Sequence, residues 1–430
     1  MLALVYNALL TLGLALCAPW LALRLLRADS RRVALARLGL GRRWLPAPPP
    51  PGGLWLHALS VGEVRSAVPL LRGLAARFPR RPLIFSVGTA QGLAMARQQL
   101  AGMEVTTLVR PLDAPWAVGR LLDVLRPALF CLVEGDIWPA WQWALARRGA
   151  PRLLVNGRVS PRTFKSYRRA PALARGLFAG FDRVLAQTET DRQRLAAIGV
   201  GDDRLAVGGN LKFDSAPAPL DRAAIARIAH DLGLVGRPVV VAGSTHQGEE
   251  EPCLEALAAL KDQWPDLALL LAPREVRRGG AVARLAAERG FRVARVSQGR
   301  PPEGCDVVVL DVLGRLAQAY AIGRAAFVGG SLCAVGGHNL LEPAAQGVPV
   351  VFGPVVHNFL EMAQMLEDIG GGARIQSGDE LLAVWRELLA EPLKAAAMGR
   401  AGREFCQAHR GAVARAVEEA ASLLERAHGC

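Results

Sequence analysis

The chain has 430 residues, 51% of them hydrophobic and 21% charged, which supplies material for two cores and excludes a disordered polyelectrolyte. Its net charge of +14, from 52 basic and 38 acidic residues, favours anionic partners, but with three tyrosines and no interleaved aromatic and basic run it carries no nucleic-acid signature. Seven widely spaced cysteines without a CxxC pair exclude a zinc or disulfide framework and suit a reducing compartment.

Residues 1–23 carry no charged side chain, and Arg24, Arg27, Arg31 and Arg32 follow. About 20 apolar residues suffice to cross a bilayer, and a basic flank on the C-terminal side keeps the remainder of the chain on the cytoplasmic face. Residues 1–28 are therefore expected to anchor the chain at a membrane, spanning it or lying in its plane, with a buried core helix as the alternative reading. A basic neck over 29–51 ends in the stiff PAPPPP run at 46–51.

Short apolar runs then alternate with amphipathic stretches. Strands are expected at 54–57, 83–87, 105–109, 128–133, 153–156, 184–187 and 205–207, with helices such as 64–77 and 190–198 between them. Buried strands alternating with helices specify a parallel sheet. The DSAPAPL stretch at 214–220 reads as a linker, after which strands recur at 239–242, 267–271, 292–294, 307–310, 325–328 and 350–352. A helical tail extends from about 379 to 428. The expected architecture is α/β, with two Rossmann-like doubly wound domains facing a cleft. The first covers 52–214, and the second covers 215–430 with the C-terminal helices. Ligands of such sheets bind at the carboxyl ends of the strands.

Four segments fall at those ends. In HALSVGE (57–63), Ser60 and Glu63 have the S-x-x-E spacing of a capping box, and a carboxylate there also suits a general base. In GGNLKF (208–213), Lys212 is either a surface residue or a cation directed at the cleft. GSTHQGEE (243–250) opens a helix with small and hydroxylated residues, which suits an anion, although Ser244 and Gln247 also fit an ordinary cap. FVGGSL (327–332) and GGHNLLEP (336–343) bring four glycines and His338 to one loop, with Asn339 and Glu342 at capping distance. Capping explains the last spacing, while the glycines point to a nucleotide, with Glu342 accepting from ribose hydroxyls. No P-loop, post-strand GxGxxG, GxSxG elbow or metal-ligand cluster is present, so no metal and no cofactor are expected.

Eight segments in order carry a further signal: HxxSVGE at 57–63, ExDIWP at 134–139, GNLKFD at 209–214, GSTHxGEE at 243–250, PR at 273–274, VGGSL at 328–332, GGHNxLEPAA at 336–345, and GP then NF over 353–359. In these the chain resembles the Kdo transferases of lipopolysaccharide synthesis, which add an eight-carbon acidic sugar to a lipid A precursor. The resemblance implies a GT-B fold and a metal-independent, inverting transfer from CMP-Kdo to lipid IVA, on the cytoplasmic face of the inner membrane. By motif position it implies that Glu63 is the catalytic base. Glu134 and Lys212 would stabilise the transition state or position substrate. Pro273, Arg274, Gly329, Gly330, Ser331, Asn339 and Glu342 would bind CMP. The chain departs from the family pattern at Asp136, where a second Glu is common, and at Glu275, Val276, Arg277 and Arg315. The competing readings are a GT-B enzyme using a UDP-sugar and a lipid acceptor, and a non-catalytic protein that binds anionic glycolipids.

Overall fold

The computed structural model describes residues 48–428 and, ahead of them, Tyr6, residues 10–13, Leu16, Arg31, Ala34, Leu35, Arg37 and Leu38. Apart from these positions, the expected anchor at 1–28 and most of the neck at 29–51 lie outside the described residues. Among the described residues, no helix is long and apolar enough to cross a membrane. Tyr6, inside the expected anchor, donates its hydroxyl to Asp113 Oδ2 at 2.5 Å and meets Trp143 edge-on at 5.7 Å.

Two compact units divide the chain, one up to Ser215 together with Arg410 onward, the other Ala216–His409. The first holds seven parallel strands: β1 (Leu54–Ala58), β2 (Leu83–Val87), β3 (Val105–Val109), β4 (Leu129–Val133), β5 (Arg152–Gly157), β6 (Arg183–Ala186) and β7 (Leu205–Val207). Their spatial order is β3-β2-β1-β4-β5-β6-β7. Every residue of β1, β2 and β4 is buried, because both faces of the sheet are covered. One face packs on helix α1 (Val61–Arg77) through Val64, Val68 and Leu71. The other packs Trp55 and Phe130 against Trp141 of helix α2 (Pro139–Arg147).

The second unit repeats the plan with β8 (Val239–Thr245), β9 (Ala268–Pro273), β10 (Val293–Arg295), β11 (Val307–Val309), β12 (Ala325–Val328), β13 (Val350–Phe352) and β14 (Gly372–Arg374), in the order β10-β11-β9-β8-β12-β13-β14. Thirteen strands fall within about three residues of the positions expected from the apolar runs. The fourteenth, β14, has no apolar run to reveal it: its three residues are Gly, Ala and Arg, and each is half-buried. Two helices of this unit, α3 (Glu250–Lys261) and α4 (Leu341–Ala345), begin close to the carboxyl ends of its central strands.

The tail departs from the expectation that 215–430 forms one domain. Helix α5 (Ala412–His428) packs in the first unit, where Ala416, Val417, Ala420, Leu423 and Leu424 join the core of β1, β2, β4 and α1. Gly73 of α1 faces Val413 and Val417, and a Cβ there would lie 3.0 Å from each, so a small residue sets the helix spacing. Asp214 holds the start of α5, with its two oxygens accepting from Gly411 N at 2.9 Å and Val413 N at 3.2 Å. Arg415 Nε donates to Gly208 O at 2.8 Å. An amphipathic helix announces its apolar face but not which sheet receives it. Asp214→Ala removes the cap of α5 and is expected to cost about 0.5–2 kcal/mol in urea unfolding. Unaltered stability would show that α5 docks through its apolar face alone.

Candidate functional site

In the first sheet the strand order turns outward in both directions from β1 and β4, and a crevice at such a switch point is where ligands of doubly wound folds bind. Glu63 stands there in the first turn of α1. The capping box is formed: Glu63 N donates to Ser60 Oγ at 3.2 Å, and Leu59 N donates to Glu63 Oε2 at 2.7 Å. The box orients the carboxyl group while using one of its oxygens. Glu63 is 8% exposed. Burial, with the neighbouring charges of Glu134 and Asp136, pushes its carboxyl group up to about 7, against the pull of the Leu59 and Ser60 hydrogen bonds.

Glu134 follows β4 in a left-handed conformation, φ 68°, and accepts from Asn156 Nδ2 at 3.4 Å. Asn156, at the end of β5, is left-handed too, with φ 59°. Its Oδ1 accepts from Gln187 Nε2 at 3.4 Å and from Leu211 N at 3.1 Å. The next residue along is Lys212, whose N–H is held by Asn210 Oδ1 at 3.0 Å. Asn156 thus laces the ends of β4 and β5 to the turn that carries Lys212. Two non-glycine residues in this region cost of order 1 kcal/mol or more each, strain of a kind concentrated at functional sites. Glu63, Glu134 and Lys212 accordingly share one end of one sheet.

Asp136 completes the acidic group. Its Oδ2 lies 3.3 Å from His57 Nε2 and 3.9 Å from Arg110 Nε, and the Arg110 guanidinium stacks 4.1 Å from the Trp138 ring centre. Burial alone would raise the Asp136 carboxyl group, but the hydrogen bond from His57 and the charge of Arg110 outweigh it and hold the group below its ordinary value. One carboxylate is kept ionised while its neighbour is made basic, a division typical of acid–base sites.

The second site lies at the carboxyl ends of β9, β8 and β12, which are adjacent in the sheet. Pro273 ends β9, and Arg274 N donates to Thr245 O at 2.9 Å, with the Arg274 side chain exposed. Beyond β12, Asn339 Oδ1 accepts from Leu341 N at 3.2 Å, and Asn339 Nδ2 donates to Glu342 Oε1 at 3.3 Å. Asn339 therefore holds the first backbone amide of α4, while Glu342 meets its side chain rather than its backbone. Burial, with the charge of Glu342, holds the Tyr320 hydroxyl well above its ordinary value. Tyr320 packs under Gly243, where a Cβ would fall 2.0 Å from that hydroxyl. His246 and His338 stack with an interplanar angle of 3°, and their Nε2 atoms are 2.8 Å apart. One nitrogen donates and the other accepts, so a hydrogen lies between the two rings.

The glycine loop, which the resemblance assigns to CMP, has three of its amides directed into the fold. They already receive a carboxylate. Glu249, fully buried, accepts from His246 N at 2.9 Å and Gly330 N at 2.7 Å through Oε2, and from Ser331 N at 3.0 Å and Leu332 N at 2.9 Å through Oε1. Gly329 N donates to Gly243 O at 2.8 Å, and a Cβ on Gly329 would lie 2.7 Å from Glu249 Oε2. Ser331 is spent as well, donating to Val328 O at 2.6 Å and accepting from Gly353 N at 2.8 Å. Glu250, the second acid of the pair, takes Thr245 Oγ1 at 3.0 Å and a two-toothed contact from Arg278 at 2.7 and 3.1 Å. Gly329, Gly330 and Ser331 therefore shape the site, and Arg274, Asn339, Glu342 and the histidine pair remain as its polar lining. Among the described residues, no group of three or more His, Cys, Asp or Glu is placed to hold a metal ion.

Residues 32–215 match the family model described as 3-deoxy-D-manno-octulosonic-acid transferase (kdotransferase). The 3-deoxy-D-manno-octulosonic acid transferase of Haemophilus influenzae is 33% identical over 382 residues, 88% of either chain. The chain belongs to the Kdo transferase family. Its counterpart from Bordetella pertussis is 35% identical over 95% of this chain and 97% of its own. A solved glycotransferase of kitacinnamycin superposes with a TM-score of 0.51 at 19% identity, over 88% of this chain and all of that one, a likeness of fold alone. The two parallel-sheet units are thus of the GT-B kind. Spacing alone singles out Glu63 and Glu342 but passes over His57 and Glu249 within the motifs, and Asn156 and Tyr320 outside them. One signal could have found Glu249: an acid that is followed by another acid, yet must be buried under a glycine loop, needs a set of donors.

Proposed function

We propose that this chain transfers Kdo from CMP-Kdo to a lipid A precursor, by a metal-independent displacement that inverts the anomeric carbon. The observation that carries the reading is Glu63, a buried carboxylate raised to about 7 beside an ionised Asp136. In this reading Glu63 takes the proton of the acceptor hydroxyl as that oxygen forms its bond to the anomeric carbon of Kdo. The bond from that carbon to the CMP phosphate oxygen breaks, and CMP leaves with the electron pair. Glu134 and Lys212, laced together through Asn156, position the acceptor and balance the developing charge. Pro273, Arg274, Asn339 and Glu342 hold CMP, inside the loop shaped by Gly329, Gly330 and Ser331.

The uncharged stretch at 1–23 and the arginines after it support docking at the cytoplasmic face of the inner membrane, where a lipid acceptor resides. The test is mass spectrometry of the lipid product. The purified chain, given CMP-Kdo and lipid IVA, should add the mass of Kdo. An adduct formed only when a UDP-sugar replaces CMP-Kdo would reassign the donor, and no adduct with any donor would leave a glycolipid-binding protein.

Glu342→Ala is expected to weaken CMP binding about ten- to a hundredfold, the loss of a charge-assisted hydrogen bond worth roughly 1.5–3 kcal/mol. Calorimetric titration with CMP reads this directly. Unchanged affinity with a lowered melting temperature would confine Glu342 to supporting Asn339 and α4.

A further inference from the structure

His57 lies within the HALSVGE segment, but its position in the fold is unlike that of Glu63. It is 0% exposed and packs beside the Trp141 ring, 4.9 Å between centres, so it has no route to substrate. Its two nitrogens are nonetheless both engaged. Nδ1 lies 2.8 Å from Ser86 Oγ, and Nε2 lies 3.3 Å from Asp136 Oδ2.

The hydrogens can be placed by elimination. Trp55 Nε1 can only donate, and it donates to Ser86 Oγ at 2.8 Å. Ser86 must then send its own hydrogen elsewhere, and His57 Nδ1 at 2.8 Å is a far better acceptor than Leu56 O at 3.5 Å. With Nδ1 accepting, the ring hydrogen sits on Nε2 and is aimed at Asp136. The opposite tautomer would reach Ser86 O at 3.1 Å but would turn an Nε2 lone pair on a carboxylate. The chain of donors therefore runs one way, from Trp55 through Ser86 and His57 to Asp136.

β1 and β4 are neighbours, with His57 opposite Leu132 in the register. Glu63 follows β1, and Glu134 and Asp136 follow β4. The relay thus enters the acidic group from beneath the sheet end. We propose that His57 is a positioning residue for the transfer reaction: its Nε2–H fixes the Asp136 carboxylate against the Glu63–Glu134 pair, so that a histidine that never meets substrate governs the catalytic base. Arg110 lies 3.9 Å from the same carboxylate oxygen, and is itself held on Trp138. The loss of His57 leaves Asp136 with a looser, longer-range partner and Glu63 with an undirected neighbour.

The inference rests on Glu63 as the base, and the experiment keeps the two apart. His57→Phe, His57→Gln, Asp136→Asn, His57→Phe/Asp136→Asn and His57→Gln/Asp136→Asn are compared with wild type, in detergent, with CMP-Kdo and lipid IVA. His57→Phe should lower kcat about 10–100-fold while KM for CMP-Kdo stays within about threefold, the pattern of a group that acts on the transition state. Glutamine still offers an N–H to Asp136, so His57→Gln should recover most of that loss. The double variants should be no slower than Asp136→Asn alone, because the two side chains act as a unit. Losses that multiply, or a His57→Gln enzyme as slow as His57→Phe, would overturn the inference. If His57→Phe does not fold, His57→Asn, whose side chain is too short to reach Asp136, takes its place in the cycle with Asp136→Asn under the same criterion. A Glu63→Gln enzyme with normal turnover would remove the base assignment while leaving the His57–Asp136 coupling measurable on its own.

Discussion

Glu63→Gln is expected to lower kcat by a factor on the order of 10² or more, with binding of CMP and lipid nearly unchanged, because general-base catalysis supplies that much. The substitution is discriminating because the capping duty that the structure shows and the proposed duty as base respond to it differently. Glu63 Oε2 receives Leu59 N, a contact that a glutamine oxygen can keep, so the start of α1 should survive. What glutamine cannot do is take a proton. The pH profile provides the companion observation. With a carboxyl group raised to about 7, the basic form is lost as pH falls through neutrality, so kcat/KM of the wild type should decline on the acid side of about 7. Asp136→Asn removes a like charge, and should move that decline to lower pH. Near-normal turnover in Glu63→Gln would pass the role of base to Glu134.

Glu249→Gln is expected to lower stability by at least about 3 kcal/mol, since buried amides left unmatched cost roughly 1–3 kcal/mol each. The carboxylate accepts four backbone hydrogens through two oxygens. Glutamine retains one oxygen and sets an NH2 group against the remaining donors. For a unit of this size the melting temperature should fall by roughly 6–12 °C. A calorimetric scan checks it, and a shift under about 2 °C would mean that the loop finds other acceptors with ease. CMP binding should weaken in parallel, since the loop that Glu249 braces also carries His338, 2.8 Å from His246.

The extent to which the sequence discloses this molecule depends on how local each feature is. β1, β4, β8 and β12 are buried on both faces, so their apolar runs stand out and their ends can be read closely. Strand β14 and the placement of α5 cannot be read, because one lacks an apolar run and the other depends on a surface formed by residues more than 300 positions away, at Gly73. The same division holds at the sites. Glu63 is visible because its cap is local, three residues from Ser60. Three of the four partners of Glu249 are some 80 residues along the chain, and those of His57 are 29 and 79 away, so no spacing rule connects them. The glycine loop misleads because free and occupied amides have the same sequence, and only the fold shows that a carboxylate already fills them.

Helix α5 also bears on how the molecule is made. A polypeptide leaves the ribosome amino end first, and an upstream domain ordinarily folds while the rest is still being translated. Here the upstream unit lacks part of its core until α5 has emerged, because Ala416, Ala420, Leu423 and Leu424 belong to that core and α5 packs on α1, β4 and β5. The second unit is continuous in sequence from Ala216 to His409, and so can finish earlier. The last helix to be made therefore completes the core of the first unit. For the time taken to translate about half the protein, the nascent chain must carry an exposed apolar sheet face, and that interval is when a chaperone or the membrane surface has most to shield.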